Sequence, residues 1–219
     1  MTLLILGIVV FLGVHLLPTF HDVRQTLIGR LGENGYKALF SLLSIVGFVL
    51  LVWGFAKAPV VQVWSPPYWT RYVAMVLMLP VFVLLIAAYV PGQIKAKVKH
   101  PFVDAISTWA LAHLIANGDL ASIILFGSFL AYAVFDRIAL KRRPATGLVT
   151  VAGTGPARND VISVVGGLLF YVLFLVWLHP ILIGTSPLPS WKIQPRLWVT
   201  LICVEAKEEA IGVPEGFPG

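Results

Sequence analysis

Charge is what this chain has least of. Only 12% of its 219 residues are Asp, Glu, Lys or Arg, where an ordinary globular domain carries about 25%. Such a chain cannot cover a water-soluble surface with polar groups, and its mean hydropathy of +0.90 places it in lipid. Cysteine is nearly missing too: Cys203 stands alone, which excludes an intrachain disulfide and a cysteine metal cluster. The first twenty residues hold no Asp, Glu, Lys or Arg. A secretory leader needs a basic start and a small-residue cleavage site, so this segment is expected to stay as a helix. Phosphate-binding loops, nucleophile elbows and HExxH zinc pairs are all absent. The net charge of +6 does not indicate a nucleic-acid partner, because the basic residues sit in short loops between apolar runs.

What the chain does have is a series of largely uncharged runs of membrane-crossing length. A helix needs about 20 apolar residues to cross the hydrocarbon. Six runs qualify: residues 2–20, 38–56, 72–90, 101–117, 119–140 and 160–183. Helices are the only choice, since backbone groups in lipid must be satisfied within the segment and no alternating barrel pattern is present. The expected fold is an all-α polytopic bundle of six transmembrane helices over residues 1–188, followed by a polar tail, 189–219. Pro101 suits a first helical position. Asn117-Gly118-Asp119 reads as a tight turn, with Gly118 left-handed and Asp119 capping the next helix. Asn159 and Asp160 are expected to cap the last span in the same way.

Basic residues set the orientation. Eleven of them fall in or beside the loops after spans one, three and five (Arg24, Arg30, Lys37; Lys95, Lys97, Lys99; Arg137, Lys141, Arg142, Arg143, Arg158). Only Lys57 and Arg71 border the loops after spans two and four. This bias puts the odd loops in the cytoplasm and both termini outside. Lys141, Arg142 and Arg143 also suit anionic lipid head groups.

Ionisable residues within spans are costly and mark functional candidates. His15, His113 and His179 lie in or at the end of a span, and His21 and His100 at interfaces. Trp109, His113 and Asn117 are spaced by four and share a helix face, beside a stripe of small residues, Ala112 and Ala116, that admits a neighbouring helix. His15 lies about 18 Å from one end of its span and His113 about 18 Å from the opposite end of its own, an offset of about 6 Å in a core about 30 Å thick. Two neutral imidazoles at similar depth on different helices are what a bis-histidine haem requires. The alternative is that His113 only hydrogen-bonds across helices. His100 and Asp104, one turn apart, read either as a helix start matched to the dipole or as a second ligand or proton donor. Tyr132 is placed to bond Asp136.

The residues Lys99-His100-Pro101, the run from Trp109 to Asp119, Phe126-Gly127-Ser128-Phe129-Leu130-Ala131-Tyr132, Asp136-Arg137, and Gly13-Val14-His15 with Leu17-Pro18 closely resemble the NnrU family of bacterial membrane proteins, over roughly residues 3–188. The resemblance implies a multi-pass protein of the bacterial inner membrane, with a role in nitrite and nitric oxide respiration. The family is also similar to the zeta-carotene isomerase, a haem b membrane enzyme that acts on a cis double bond of an apolar polyene. Carried over by position, the haem ligands would be His15 and His113, with His100 as substitute and Trp109 and Asn117 shaping the pocket. Where the isomerase has a cysteine, three residues before the motif histidine, this chain has Ala110. The readings that follow are a haem b protein of nitric oxide metabolism, a haem-dependent carotenoid cis-trans isomerase, and a cofactor-free assembly protein. The implied partners are the bilayer and either nitric oxide or a carotenoid-like apolar ligand.

Overall fold

The computed structural model describes residues 1–142 and 155–188. The expected polar tail, Arg143 and Cys203 lie outside them. Helices dominate: α1 Thr2–Leu16, a 3-10 turn Leu17–Thr19, α2 His21–Ala56, α3 Thr70–Tyr89, α4 Gln93–Val98, α5 Pro101–Ala116, α6 Leu120–Arg142, α7 Ala157–Leu173, a π turn Phe174–Leu178 and α8 His179–Ile183. The chain is an all-α polytopic membrane protein. Five helical segments are long and apolar enough to cross a membrane, while α5 is apolar but has only 16 residues. The described residues divide into two units, one up to residue 167 and the other from residue 168 on, and α7 begins in the first and ends in the second.

In the first unit α1 packs along α2, and α5 lies against both α3 and α6. The core at their meeting is formed by Leu4, Ile8, Leu12, Leu51, Ala110, Ala121, Leu125 and Phe126. Glycine lets α1 and α2 come so close. A Cβ on Gly54 would overlap the backbone of Leu3 and Leu4, and one on Gly7 would overlap the backbone of Leu50 and Leu51. Without a hydrophobic force between helices in lipid, such close backbone approach is a main source of association.

Four local expectations change. The segment 21–37, expected as a loop, is helical and continuous with the second span except at Gly32, whose φ of 71° and ψ of 165° break the helix. That conformation is essentially restricted to glycine. Gly118 is not left-handed; among the described glycines only Gly32 and Gly184 have positive φ. Gly118 is needed for space, because a Cβ there would overlap the Trp64 carbonyl. The Gly118 carbonyl accepts from the Val63 and Trp64 amides at 2.9 and 3.1 Å, and Leu120 N–H donates to Val61 at 2.8 Å. A loop far back in the chain thereby ties down the α5–α6 turn. Asp119 does cap α6, accepting from the Ser122 amide at 2.9 Å. Asp160, in contrast, lies inside the first turn of α7, and its carboxylate accepts from the Gln93 and Ile94 amides at 3.0 and 2.9 Å, capping α4. Asn159 likewise reaches away from its own helix, donating to the Pro91 carbonyl at 2.6 Å.

In the second unit, Pro180 has no N–H and its ring crowds the preceding turn. The π turn just before it absorbs that mismatch. His179 Nδ1 donates to the Thr185 carbonyl at 2.8 Å, which closes the chain end of α8.

Replacing Gly54 with Ala is expected to lower the thermal midpoint of the detergent-purified protein, because overpacking costs about 1–3 kcal/mol. Gly13→Ala, whose Cβ meets nothing within 4 Å, should be neutral or slightly stabilising. Equal midpoints for the two variants would contradict the close-packing account.

Candidate functional site

His15 and His113 are built alike. His15 Nδ1 lies 2.7 Å from the Phe11 carbonyl, and His113 Nδ1 lies 2.8 Å from the Trp109 carbonyl, in each case one turn back along the same helix. A carbonyl only accepts, so Nδ1 carries the proton and, in the neutral ring, the lone pair sits on Nε2. The residue that supplies the carbonyl also packs its ring on the imidazole. Phe11 and His15 have centroids 4.2 Å apart, Trp109 and His113 5.4 Å. Both histidines are half-buried.

An aromatic cluster joins them. Phe11 meets Phe129 at 5.9 Å, and Phe129 meets Trp109 edge-on at 5.4 Å. Phe126 stacks on His113 at 4.6 Å and stands edge-on to Trp109 at 5.1 Å. On its other side His15 meets Phe40 of α2 at 5.3 Å. A side chain on a helix leans toward the helix N-terminus. Each imidazole accordingly reaches back along its own helix to the aromatic residue that the cluster contains.

The other expected residues separate. Trp109 is in the cluster. Asn117 is not a wall of it; its side-chain amide donates to the His113 carbonyl at 2.8 Å and so closes the last turn of α5. His100 is the residue before α5, about 20 Å along the helix axis from His113 at 1.5 Å per residue. It belongs to a different group. Asp104 Oδ1 pairs with Arg137 Nε at 3.4 Å, the two side chains being 31% and 26% exposed. Arg137 also donates to the Val98 carbonyl at 3.4 Å, while its Nη1 is buried with no hydrogen-bond partner among the described residues. Asp136 accepts from the Thr19 hydroxyl at 3.4 Å, which ties the turn after α1 to the end of α6. Lys99 holds a positive φ of 68° with ψ of −46°, and the His100 amide donates to the Val98 carbonyl at 2.8 Å. This is a strained three-residue turn that delivers His100 to the mouth of α5.

Sequence reasoning did not find the aromatic partners Phe11, Phe126 and Phe129. The i to i+4 spacing of Phe11 and His15 was a readable signal, the same as that of Trp109 and His113. The arrival of α6 rings was not, because it depends on tertiary packing.

A family model described as NnrU protein matches residues 3–187. The chain belongs to the NnrU family. No curated protein and no solved structure matches the chain. The matched span of this family member runs from α1 through α8 and contains both imidazoles and the aromatic cluster.

Burial holds the His100 imidazole below its ordinary value of 6.5; Arg137 and Lys99 act in the same direction, and Asp104 and Asp136 oppose them. The unfolded chain therefore binds this proton more tightly than the folded one. The contribution is absent above the unfolded value and becomes a loss of stability as pH falls below it. In His100→Asn, the drop in thermal midpoint between about pH 7 and about pH 5 should be smaller than in the parent. An unchanged drop would mean that His100 does not titrate in this way.

Proposed function

We propose that this NnrU family member binds haem b and serves nitric oxide or nitrite respiration in the bacterial inner membrane, with its basic end toward the cytoplasm. The observation that carries the reading is the paired donor set: two imidazoles on separate helices, each with Nδ1 held by a backbone carbonyl so that Nε2 would be the ligating nitrogen. Metal-bound histidines almost always have their other ring nitrogen fixed in this way. His15 and His113 would hold the iron. Phe11, Trp109, Phe126 and Phe129 would supply an apolar aromatic surround, and Asn117 would keep the end of α5 that carries His113 in place. A bis-imidazole haem supplies one-electron chemistry whose potential is set by its axial ligands and by burial.

The protein's own residues have definite tasks in this scheme. The Phe11 and Trp109 carbonyls fix the tautomer and the ring orientation. The four aromatic rings exclude water. The isomerase reading draws less support, since it rests on a thiol near the motif histidine. Ala110 puts a fully buried methyl at that position.

The test is the visible spectrum of the detergent-purified protein, with and without dithionite. A Soret band is expected, with a shift on reduction, and it should be lost or strongly weakened in both His15→Ala and His113→Ala. A colourless, folded parent protein, or a band unchanged in both variants, would end the proposal. For the physiological role, a deletion strain should lose nitric oxide reduction and keep its pigments; the reverse outcome would favour the isomerase.

A further inference from the structure

A second feature lies on the polar side of α2 and shares only the Phe40 ring with the surroundings of His15. A cavity of about 200 Å3 is lined by Pro18, Arg24, Tyr36, Lys37, Phe40 and Ser41. Its walls divide by chemistry: Pro18, Phe40 and the Tyr36 ring are apolar, whereas Arg24 and Lys37 are cations and Ser41 brings a hydroxyl. Tyr36 is only 8% exposed, and its hydroxyl is buried with no hydrogen-bond partner among the described residues. A buried hydroxyl left without an acceptor is costly and rare. The Arg24 guanidinium lies over the Tyr36 ring at 5.7 Å, a cation–π contact that holds the charge against the cavity wall. Lys37 is already paired with Glu33 at 2.8 Å, and both are solvent-exposed, so Arg24 is the stronger source of positive potential for the cavity.

The place of the cavity along the chain is informative. Arg24 belongs to the polar first part of α2, Lys37 stands where that part ends, and Phe40 stands where the apolar run begins. Phe20, Val23, Leu39 and Leu42, which flank the lining residues in sequence, are exposed apolar side chains. A ligand that fits both halves carries a negatively charged group rich in acceptors, with hydrocarbon attached.

We propose that this cavity binds the phosphate of an anionic phospholipid. Arg24 supplies the charge-assisted contact, the Tyr36 hydroxyl donates to a phosphate oxygen, and Ser41 and Lys37 border the head group. The acyl chains run over the exposed apolar side chains beside it. Basic pockets at the edge of a helix bundle are suited to such head groups. Free phosphate shares the anionic chemistry but has no use for the apolar surround.

The full chain, purified in detergent, is titrated with short-chain phosphatidylglycerol, with short-chain phosphatidylcholine and with inorganic phosphate as competitor, and bound lipid is counted by native mass spectrometry. One phosphatidylglycerol per chain is expected, bound more tightly than phosphatidylcholine and not displaced by millimolar phosphate. Arg24→Gln should weaken it about tenfold and Tyr36→Phe by about threefold to tenfold, while Arg24→Lys retains most of the binding. Tyr36→Phe keeps the ring and so guards against misfolding as the cause. His113→Ala, whose parent ring packs on Trp109 and Phe126, should bind lipid as the parent does, which separates this site from the haem proposal. Equal affinity for the two lipids, parent-like binding in both Arg24→Gln and Tyr36→Phe, or displacement by phosphate would each overturn the assignment.

Discussion

A bilayer offers no hydrogen bonds, and the arrangement of polar groups in this protein follows from that. Ser107 donates to Val103 at 2.9 Å, Thr108 to Asp104 at 2.8 Å and Ser163 to Asn159 at 2.9 Å. Each hydroxyl returns to the carbonyl four residues earlier on its own helix. His15 and His113 do the same with Nδ1. Polar side chains in the spans thus keep the hydrogen-bonding problem within one helix, which frees the surfaces between helices for ring packing and glycine contacts. For a hydroxyl this arrangement leaves little chemistry over. For an imidazole it leaves a second nitrogen, in a defined tautomer, facing whatever the neighbouring helices bring.

That difference explains how much of the molecule was legible beforehand. Spans show in composition because lipid imposes a length and an absence of charge, so the apolar runs located the long helices to within a few residues, apart from the start of α2. The Asn117-Gly118-Asp119 turn and the Asp119 cap were readable because capping is local. What failed was long-range. Asp160 was expected to serve its own helix and instead caps α4, some 66 residues away. Gly118 looked like a left-handed stop, yet its reason is the Trp64 carbonyl beside it. Such pairings leave no periodicity in the chain. The segment 21–37 misled for a different reason. Its charge excludes it from a span, but charge says nothing against a helix at the polar boundary, and one glycine at position 32 is enough to turn that helix into the next span.

The candidate site was legible in the same proportion. Trp109, His113 and Asn117 share a face as their spacing requires, but their roles diverge: Trp109 packs on the imidazole, and Asn117 serves the backbone. His100 precedes the helix that carries His113, and that helix holds the two about 20 Å apart. A pair of ligands on different helices is free of this constraint, and only packing can bring it together. In this fold α6 packs between the two helices that carry them, with Phe129 against Phe11 on one side and Phe126 and Phe129 against Trp109 on the other.

The groups that do not solve their hydrogen bonding locally are therefore the informative ones. Among the described residues these are the Tyr36 hydroxyl, the Ser44 hydroxyl and Arg137 Nη1. Ser44 has the simplest remedy open to it, since a serine in a helix can turn back to a carbonyl of its own preceding turn. Tyr36 cannot: its hydroxyl lies too far from its own backbone to bond the preceding turn, so its acceptor must come from another part of the chain or from outside the protein. Arg137 is intermediate, with two of its nitrogens engaged by Asp104 and Val98 and the third without a partner. Long side chains whose ends are buried at the polar boundary are where a membrane helix meets a ligand that its own backbone cannot replace. On that ground the Tyr36 hydroxyl and Arg24 beside it are the proposed site for an acceptor-rich group, as the second nitrogens of His15 and His113 are the proposed ligands of a metal.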